Sequence, residues 1–390
     1  MAPEVSPHDP HGMSSYPDDQ AGMRTRFDEV APLTVGLEEE LMLVDPATLD
    51  LLPRAKEVVE RAADPRFKRE LPASQLEIVL APTATVGESV AALAAARRDL
   101  AAAADGIGLL LAAGAHPFAS PLGELSEGAR YEAIAREYGD VARMQLVCAL
   151  QVHVAVGGAE RTLAVYNALR AYLPELAALA ANAPFYAGRD SGLASVRPQI
   201  AALLPRQGVP PAFASWDEYE VALRWGAFPE GQWWWELRPR PALGTLELRV
   251  PDAQATVADA AGVAAFAHAL VAWLAARHDA GDLPGPAPTW RIEENRWAAC
   301  RHGLDGVFTD VWTGRRTPAR ERVGQRLDAL AQTADELRCA DEFGEARRLL
   351  AANGAERRRR AAGGDAEAAA RSLVCAFAPP HHASFTTAVG

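Results

Sequence analysis

The sequence predicts an α+β fold built on a mostly antiparallel sheet, and two observations predict it. Strand-like and helical segments come in mixed order, with helices between some strands and a tight turn between others. The segments WWWELRP (233–239) and GTLELRVPD (244–252) meet at the turn residues RPAL, which marks an antiparallel hairpin rather than a doubly wound parallel arrangement.

Each element follows from local pattern. LTVGLEEELMLV (33–44) and QLEIVL (75–80) read as strands. Residues 86–105 have helical apolar spacing with few breakers. IGLLLAAGAHPF (107–118) reads as a buried strand ending in a turn, 127–143 as a helix, and LVCALQVHVAV (146–156) as a strand with a histidine inside. A long helix over 160–181 leads into the loop NAPFYAGRDSGLAS, and a short helix near 215–226 precedes the hairpin. Helices are expected at 256–279, 291–302 and 319–339, and the Ala- and Arg-rich stretch 341–376 is helical. Residues 1–29 and 377–390 read as tails around a single domain, 30–376, whose helical C-terminal part spans 319–376.

Composition narrows the function. Hydrophobic residues make up 49% and charged residues 23%, the balance of a folded globular protein. The net charge of −12 argues against a nucleic-acid partner. Lysine occurs only at Lys56 and Lys68, so any anion is held mainly by arginine, whose fork matches carboxylate and phosphate. The four cysteines, Cys148, Cys300, Cys339 and Cys375, lack metal-ligand spacing and read as reduced thiols of a cytoplasmic protein. No uninterrupted apolar run suggests a membrane span, and the first twenty residues lack the features of a signal peptide. A homo-oligomer is left open.

The chemistry lies in charged residues set inside apolar strands. In Glu38-Glu39-Glu40, alternation puts Glu38 and Glu40 on one face and Glu39 on the other. Alone, that pair is as easily a solvated strand face. The pattern recurs, however, with Glu77 in QLEIVL, His153 in LQVHVAV and Glu247 in TLELRV. Four strands that each offer an ionisable residue suggest oxygen ligands with one imidazole, a set suited to Mg²⁺ or Mn²⁺. Arg249 shares the face of Glu247, Arg238 closes the preceding strand, and Arg189 and Arg197 flank GRDSGLASVR. These guanidiniums suit a nucleoside triphosphate and a substrate carboxylate, or else internal salt bridges with the same acids. The sequence contains no G-x-x-x-x-G-K-[ST], no H-E-x-x-H and no G-x-S-x-G, so bound phosphates would rest on metal and arginine.

These stretches resemble the bacterial glutamate–cysteine ligase type 2, or carboxylate–amine ligase, family. The resemblance is carried by VGLEEELMLVD (35–45), SQLEIVLAP (74–82), GAHPFA (114–119), VHV (152–154), NAPFYAGRDSGLASVR (182–197), WWWELRPRPALGTLELRVPDA (233–253) and ENRWAACRHGLDG (294–306). It implies a glutamine-synthetase-like curved sheet with helices packed on its outer side. It also implies that ATP phosphorylates the γ-carboxylate of glutamate and that the amine of cysteine attacks the acyl phosphate. Carried over by motif, Glu38, Glu40, Glu77, His153 and Glu247 become metal ligands. Arg197, Arg238 and Arg249 become catalytic residues and, with Arg189, hold ATP. Asn182 becomes a substrate contact, and Gln151, two residues from His153 and so on the same strand face, is expected to line the substrate pocket.

One position departs from the family. Gln151 stands where the family usually has a first histidine of H-V-H, and Ala149 and Ala155 stand where glycine is common. A glutamine hydrogen-bonds but does not titrate, which bears on the choice of acid or amine rather than on the reaction class. The alternatives are the same chemistry with a different acid and amine, a phosphotransferase on the same sheet, and a non-catalytic descendant of the fold.

Overall fold

The computed structural model describes residues 20–225 and 234–377. Its centre is a seven-stranded antiparallel sheet: β1 (Val35–Val44), β2 (Phe67–Arg69), β3 (Gln75–Val79), β4 (Leu109–Leu111), β5 (Leu150–Val154), and two further strands, Leu237–Arg240 and Thr245–Leu248. Two short hairpins lie outside it. One joins β6 (Phe185–Tyr186) to β7 (Arg189–Asp190), and the other joins β10 (Val307–Thr309) to β11 (Arg316–Pro318). The strands Leu237–Arg240 and Thr245–Leu248 are therefore β8 and β9. The order across the sheet is β2-β3-β1-β5-β9-β8, with β4 pairing the far end of β1 beyond β5.

The two faces of the sheet differ sharply in chemistry. Leu37, Leu41, Leu76, Ile78, Leu150, Val152, Val154, Leu246 and Leu248 alternate onto one face and are all fully buried. Burying each such side chain contributes about 1.5–3 kcal/mol, so this face fixes how the sheet sits on its helices. It packs on the helices Val86–Ala104, Ala159–Leu169 and Val257–Asp279. The last of these is long and apolar enough to cross a membrane by length and composition, yet 83% of its most apolar window is buried inside the protein. It also meets the helix Ala340–Ala351 at Gly262, where a Cβ would stand 2.7 Å from the backbone nitrogen of Ala346.

One charged residue interrupts the apolar face. Glu39 is fully buried and receives Arg97 through Nε at 2.7 Å and Nη2 at 2.5 Å. The guanidinium also donates to the carbonyls of Gln254 at 2.7 Å and Ala255 at 3.3 Å. Its carbon lies 4.7 Å from the centre of the Phe377 ring. One buried fork thus ties β1, a sheet-packing helix, the chain after β9 and the last helix together.

Several expected boundaries shift for identifiable reasons. The tail expected over 1–29 contains the helix Gln20–Glu29, whose Phe27 is fully buried with its ring 4.9 Å from that of Trp216. The last helix runs through Phe377, one residue into the other expected tail; 1–19 and 378–390 lie outside the described residues, as do 226–233, which include the start of the strand expected at 233. The helix expected over 160–181 breaks at a 3₁₀ turn, Arg170–Tyr172, because Pro174 opens the next helix and cannot donate back to Arg170. The helix expected over 127–143 divides at Gly139, which has φ +56°. Only Leu109–Leu111 of the strand expected at 107–118 joins the main sheet, and Ala115 makes an isolated antiparallel bridge to Val147. The chain then turns through His116, whose Nδ1 accepts the backbone N–H groups of Phe118 and Ala119 at 3.2 and 2.9 Å. Its Nε2 must then carry the proton, which it donates to the Leu49 carbonyl at 2.8 Å. Strand β2 and both short hairpins are too short to show a period, whereas helix Ala55–Ala62 was readable from Ala55, Val58, Val59 and Ala62 at helical spacing and was not expected.

Two stability predictions follow from these buried groups. Arg97→Met leaves Glu39 buried without its partner and should cost about 3–5 kcal/mol in urea unfolding, whereas Arg97→Met with Glu39→Leu should recover most of that loss. Burial pushes the pKa of His116 down to about 4, so folding favours the neutral ring. Its contribution is complete above the unfolded value near 6.5 and is lost as pH falls from there towards about 4. The difference in urea midpoint between the native protein and His116→Gln should therefore shrink between pH 7 and pH 4.5.

Candidate active site

The opposite face of the sheet gathers the charged residues. Residues directly opposite in an antiparallel ladder point the same way. The register pairs Glu40 with Glu77, Glu38 with Gln151, His153 with Glu247, and Glu247 with Arg238. Alternation adds Arg240, Thr245 and Arg249 to the same face. Glu38, Glu40, Glu77, Gln151, His153 and Glu247 thus share one surface, while Glu39 lies behind it on Arg97.

Glu247 is the most enclosed acid of the face. It is fully buried and accepts Arg238 Nε at 2.6 Å, Arg240 Nη1 at 2.8 Å and Arg249 Nη1 at 2.5 Å. Burial alone would raise its pKa, but the charges of Arg238, Arg249 and Arg240 hold it well below the usual carboxylate range. Three cations around one carboxylate leave this end of the face positive.

The other end is acidic. Glu40 Oε2 accepts the Ala149 N–H at 2.7 Å, and its Oε1 accepts the Gln151 amide at 2.8 Å. Burial pushes the pKa of Glu77 well up, and the neighbouring charges of Glu70, Glu38 and Glu40 add to the shift. Burial, with Glu40 beside it, lifts Glu70 to about 7. Glu38 goes the other way: burial raises it, but His153 facing it wins and lowers it. Carboxyls raised by one another mark a site that gains from a cation.

The residues present fit a divalent cation at that acidic end. His153 Nε2 is buried and makes no hydrogen bond, although Glu38 Oε1 lies 3.4 Å away. Its Nδ1 lies 3.1 Å from the Thr245 hydroxyl, which can accept the Nδ1 proton and leave Nε2 free as a ligand. One candidate ligand atom each of Glu38, His153 and Glu247 falls within 4.8 Å of the others. Glu38 and His153 have ligand capacity to spare. Glu247 is the weaker ligand of the three, because its oxygens already accept three guanidiniums.

Several expected roles are redistributed. Arg197 donates to the carbonyls of Arg249 at 2.9 Å and Val250 at 3.3 Å, so it braces the chain just after β9. Arg189 lies exposed on the β6–β7 hairpin, which none of the site contacts reach. Asn182 is buried, and its amide nitrogen is spent on the carbonyls of Ala112 at 3.2 Å and Ala253 at 2.8 Å. Its backbone N–H and the Ser195 hydroxyl both donate to Asp252, which welds the loop 182–197 to the chain leaving β9. Gln151 is 1% exposed, and both ends of its amide are engaged by protein. Arg240 and Glu70 had not been expected. Arg240 was readable, since it stands two residues from Arg238 on the same strand. Glu70 follows a three-residue strand too short to show a period.

Comparison with known proteins bears on the family and the fold. The profile of glutamate–cysteine ligase family 2 matches residues 34–374. A protein of Rubrobacter xylanophilus, provisionally named glutamate–cysteine ligase 2-3, is 40% identical over 334 residues, covering 82% of this chain and 90% of its own. A protein of the same provisional name from a Nocardioides species is 35% identical over 340 residues, covering 84% of this chain and 90% of its own. Among solved structures, a glutamate–cysteine ligase of Francisella tularensis in complex with AMP superposes with a TM-score of 0.65 at 12% identity, covering 88% of each chain. A bifunctional glutathione synthetase of Pasteurella multocida gives 0.63 at 16%, covering 92% of this chain and 54% of its own. These two likenesses show a shared fold, and the sequence matches show the family: the chain belongs to glutamate–cysteine ligase family 2.

Proposed function

We propose that this chain is an ATP-dependent carboxylate–amine ligase with Mg²⁺ as its cofactor and Mn²⁺ as a substitute. It joins the γ-carboxylate of glutamate to cysteine or a related amine, in the cytoplasm. The observation that carries this reading is the division of one buried sheet face into an acidic end, Glu38, Glu40 and Glu77, and a basic end, Arg238, Arg240 and Arg249 around Glu247. A reaction between a polyphosphate and a carboxylate needs both ends. The names of the relatives favour glutamate and cysteine, and AMP in the Francisella neighbour favours a nucleotide.

A carboxylate resists a nucleophile because its charge repels the incoming electron pair. Its oxygen can instead attack the terminal phosphorus of ATP; the bond from that phosphorus to the bridging oxygen breaks, and ADP leaves. The amine nitrogen then attacks the acyl carbon, the carbon–oxygen bond breaks, phosphate departs with the electron pair, and the nitrogen loses a proton. Glu38, Glu40, Glu77 and His153 would hold the divalent cation, whose chemistry when bound is to neutralise phosphate charge. Arg238, Arg240 and Arg249 orient the anionic groups, and Glu247 keeps the three guanidiniums aimed together rather than splayed by mutual repulsion.

Purified protein given ATP, Mg²⁺ and a panel of amino acids should release ADP and phosphate, and hydroxylamine should trap the activated acid as a hydroxamate. AMP with pyrophosphate as products would overturn the acyl-phosphate route, and a productive pair other than glutamate and cysteine would reassign the substrates. Glu38→Gln and His153→Ala should each weaken Mn²⁺ binding about tenfold to a hundredfold. Glu39→Gln should act through stability, read in a thermal melt, because that residue faces Arg97.

A further inference from the structure

Gln151 occupies the boundary between the two charged ends. Its Nε2 donates to Glu40 Oε1 at 2.8 Å, and its Oε1 accepts Arg249 Nη1 at 2.6 Å. Only one orientation of the amide satisfies both neighbours, since the acid needs a donor and the guanidinium an acceptor. Arg249 Nη2 stands 3.7 Å from Glu40 Oε1, beyond hydrogen-bond distance, while its Nη1 also reaches Glu247. In a buried site, opposite charges this near gain by closing into a direct pair. The inserted amide satisfies each partner with a hydrogen bond and leaves the ion pair between them loose at 3.7 Å.

We infer that Gln151 is a positioning residue that keeps the loose ion pair of Glu40 and Arg249 from closing into a hydrogen-bonded one, so that Glu40 keeps its oxygens open to a cation and Arg249 keeps its Nη2 open to an anion. The inference rests on the ligase reading above. A charged side chain at this place would favour one end over the other: a carboxylate would pair with Arg249 and repel Glu40, and a cation would do the reverse. An apolar side chain would let Arg249 close on Glu40 and withdraw that acid from the cation site. The departure at position 151 therefore acts by holding the site open, since a side chain 1% exposed with both amide ends engaged does not contact substrate.

The test is calorimetric titration of Mn²⁺ alone into the full-length protein and two variants, with KM for ATP and kcat measured alongside. Gln151→Met keeps the length and removes both hydrogen bonds. It should weaken Mn²⁺ binding about tenfold and raise KM for ATP more than it lowers kcat. Gln151→Glu retains an acceptor for Arg249 and adds an oxygen beside Glu40, so it should bind Mn²⁺ at least as tightly as the native protein. A residue that merely fills space predicts the reverse order, with Gln151→Met silent and Gln151→Glu disruptive, and that order would overturn the inference. If Gln151→Met does not fold, Gln151→Asn replaces it with the same expected loss, because the shorter amide cannot span both partners. A native protein that binds no Mn²⁺ overturns the metal site of the ligase reading. Native binding that Gln151→Met leaves unchanged overturns the role of Gln151 alone.

Discussion

The fork between Glu39 and Arg97 anchors β1 to the helices behind it, and the chemistry of the sheet depends on the register of that strand. A strand slipped by one residue turns every side chain to the other face. Here the slip would bring Glu38 or Glu40 to the place of Glu39, carry the other in among buried leucines, and turn Leu37 and Leu41 out onto the charged face. Both ions of the pair are buried, so the cost of breaking it is large even though its net contribution to stability is modest.

On the other face, the sheet separates charge along its width. Cross-strand pairing sets Glu40 against Glu77, a repulsive contact that a structural protein would avoid and a cation would relieve. Two strands away, Glu247 gathers Arg238, Arg240 and Arg249. Under the proposed function this layout takes the place of a glycine-rich phosphate loop, with side chains on rigid strands in place of backbone N–H groups. The loop 182–197 and the helix Thr289–His302 act from behind. Arg197 braces the carbonyls after β9, and Arg296 grips the buried carboxylate of Glu236 just before β8 at 2.6–3.0 Å. They brace the backbone around the site.

Much of this was legible in the sequence, and the reason is periodicity. A charged residue every second position inside an apolar strand states both the strand and its polar face, so Glu38, Glu40, Glu77, His153, Glu247 and Arg249 could be placed on one surface before any fold was known. Loop arginines could not be placed that way. The spacing of Arg189 and Arg197 says nothing about where a loop folds back, and one proved exposed while the other braces backbone. Gln151 was put on the right face, but its partners come from β1 and β9, which only the sheet order brings beside it. Glu70 and Phe27 were missed for want of local pattern: a three-residue strand and a ten-residue helix near the chain start carry too little signal on their own.

The central claim is that one sheet face binds a divalent cation at its acidic end and a nucleotide's phosphates at its basic end. The most direct measurement is a crystal structure of the protein with Mn²⁺ and a non-hydrolysable ATP analogue, with manganese located by its anomalous scattering. The account predicts manganese bound by Glu38 and its acidic neighbours, phosphate oxygens contacted by the guanidiniums around Glu247, and Glu39 still on Arg97. Manganese bound away from β1 and β3, or a nucleotide whose phosphates do not reach Arg238, Arg240 or Arg249, would contradict it.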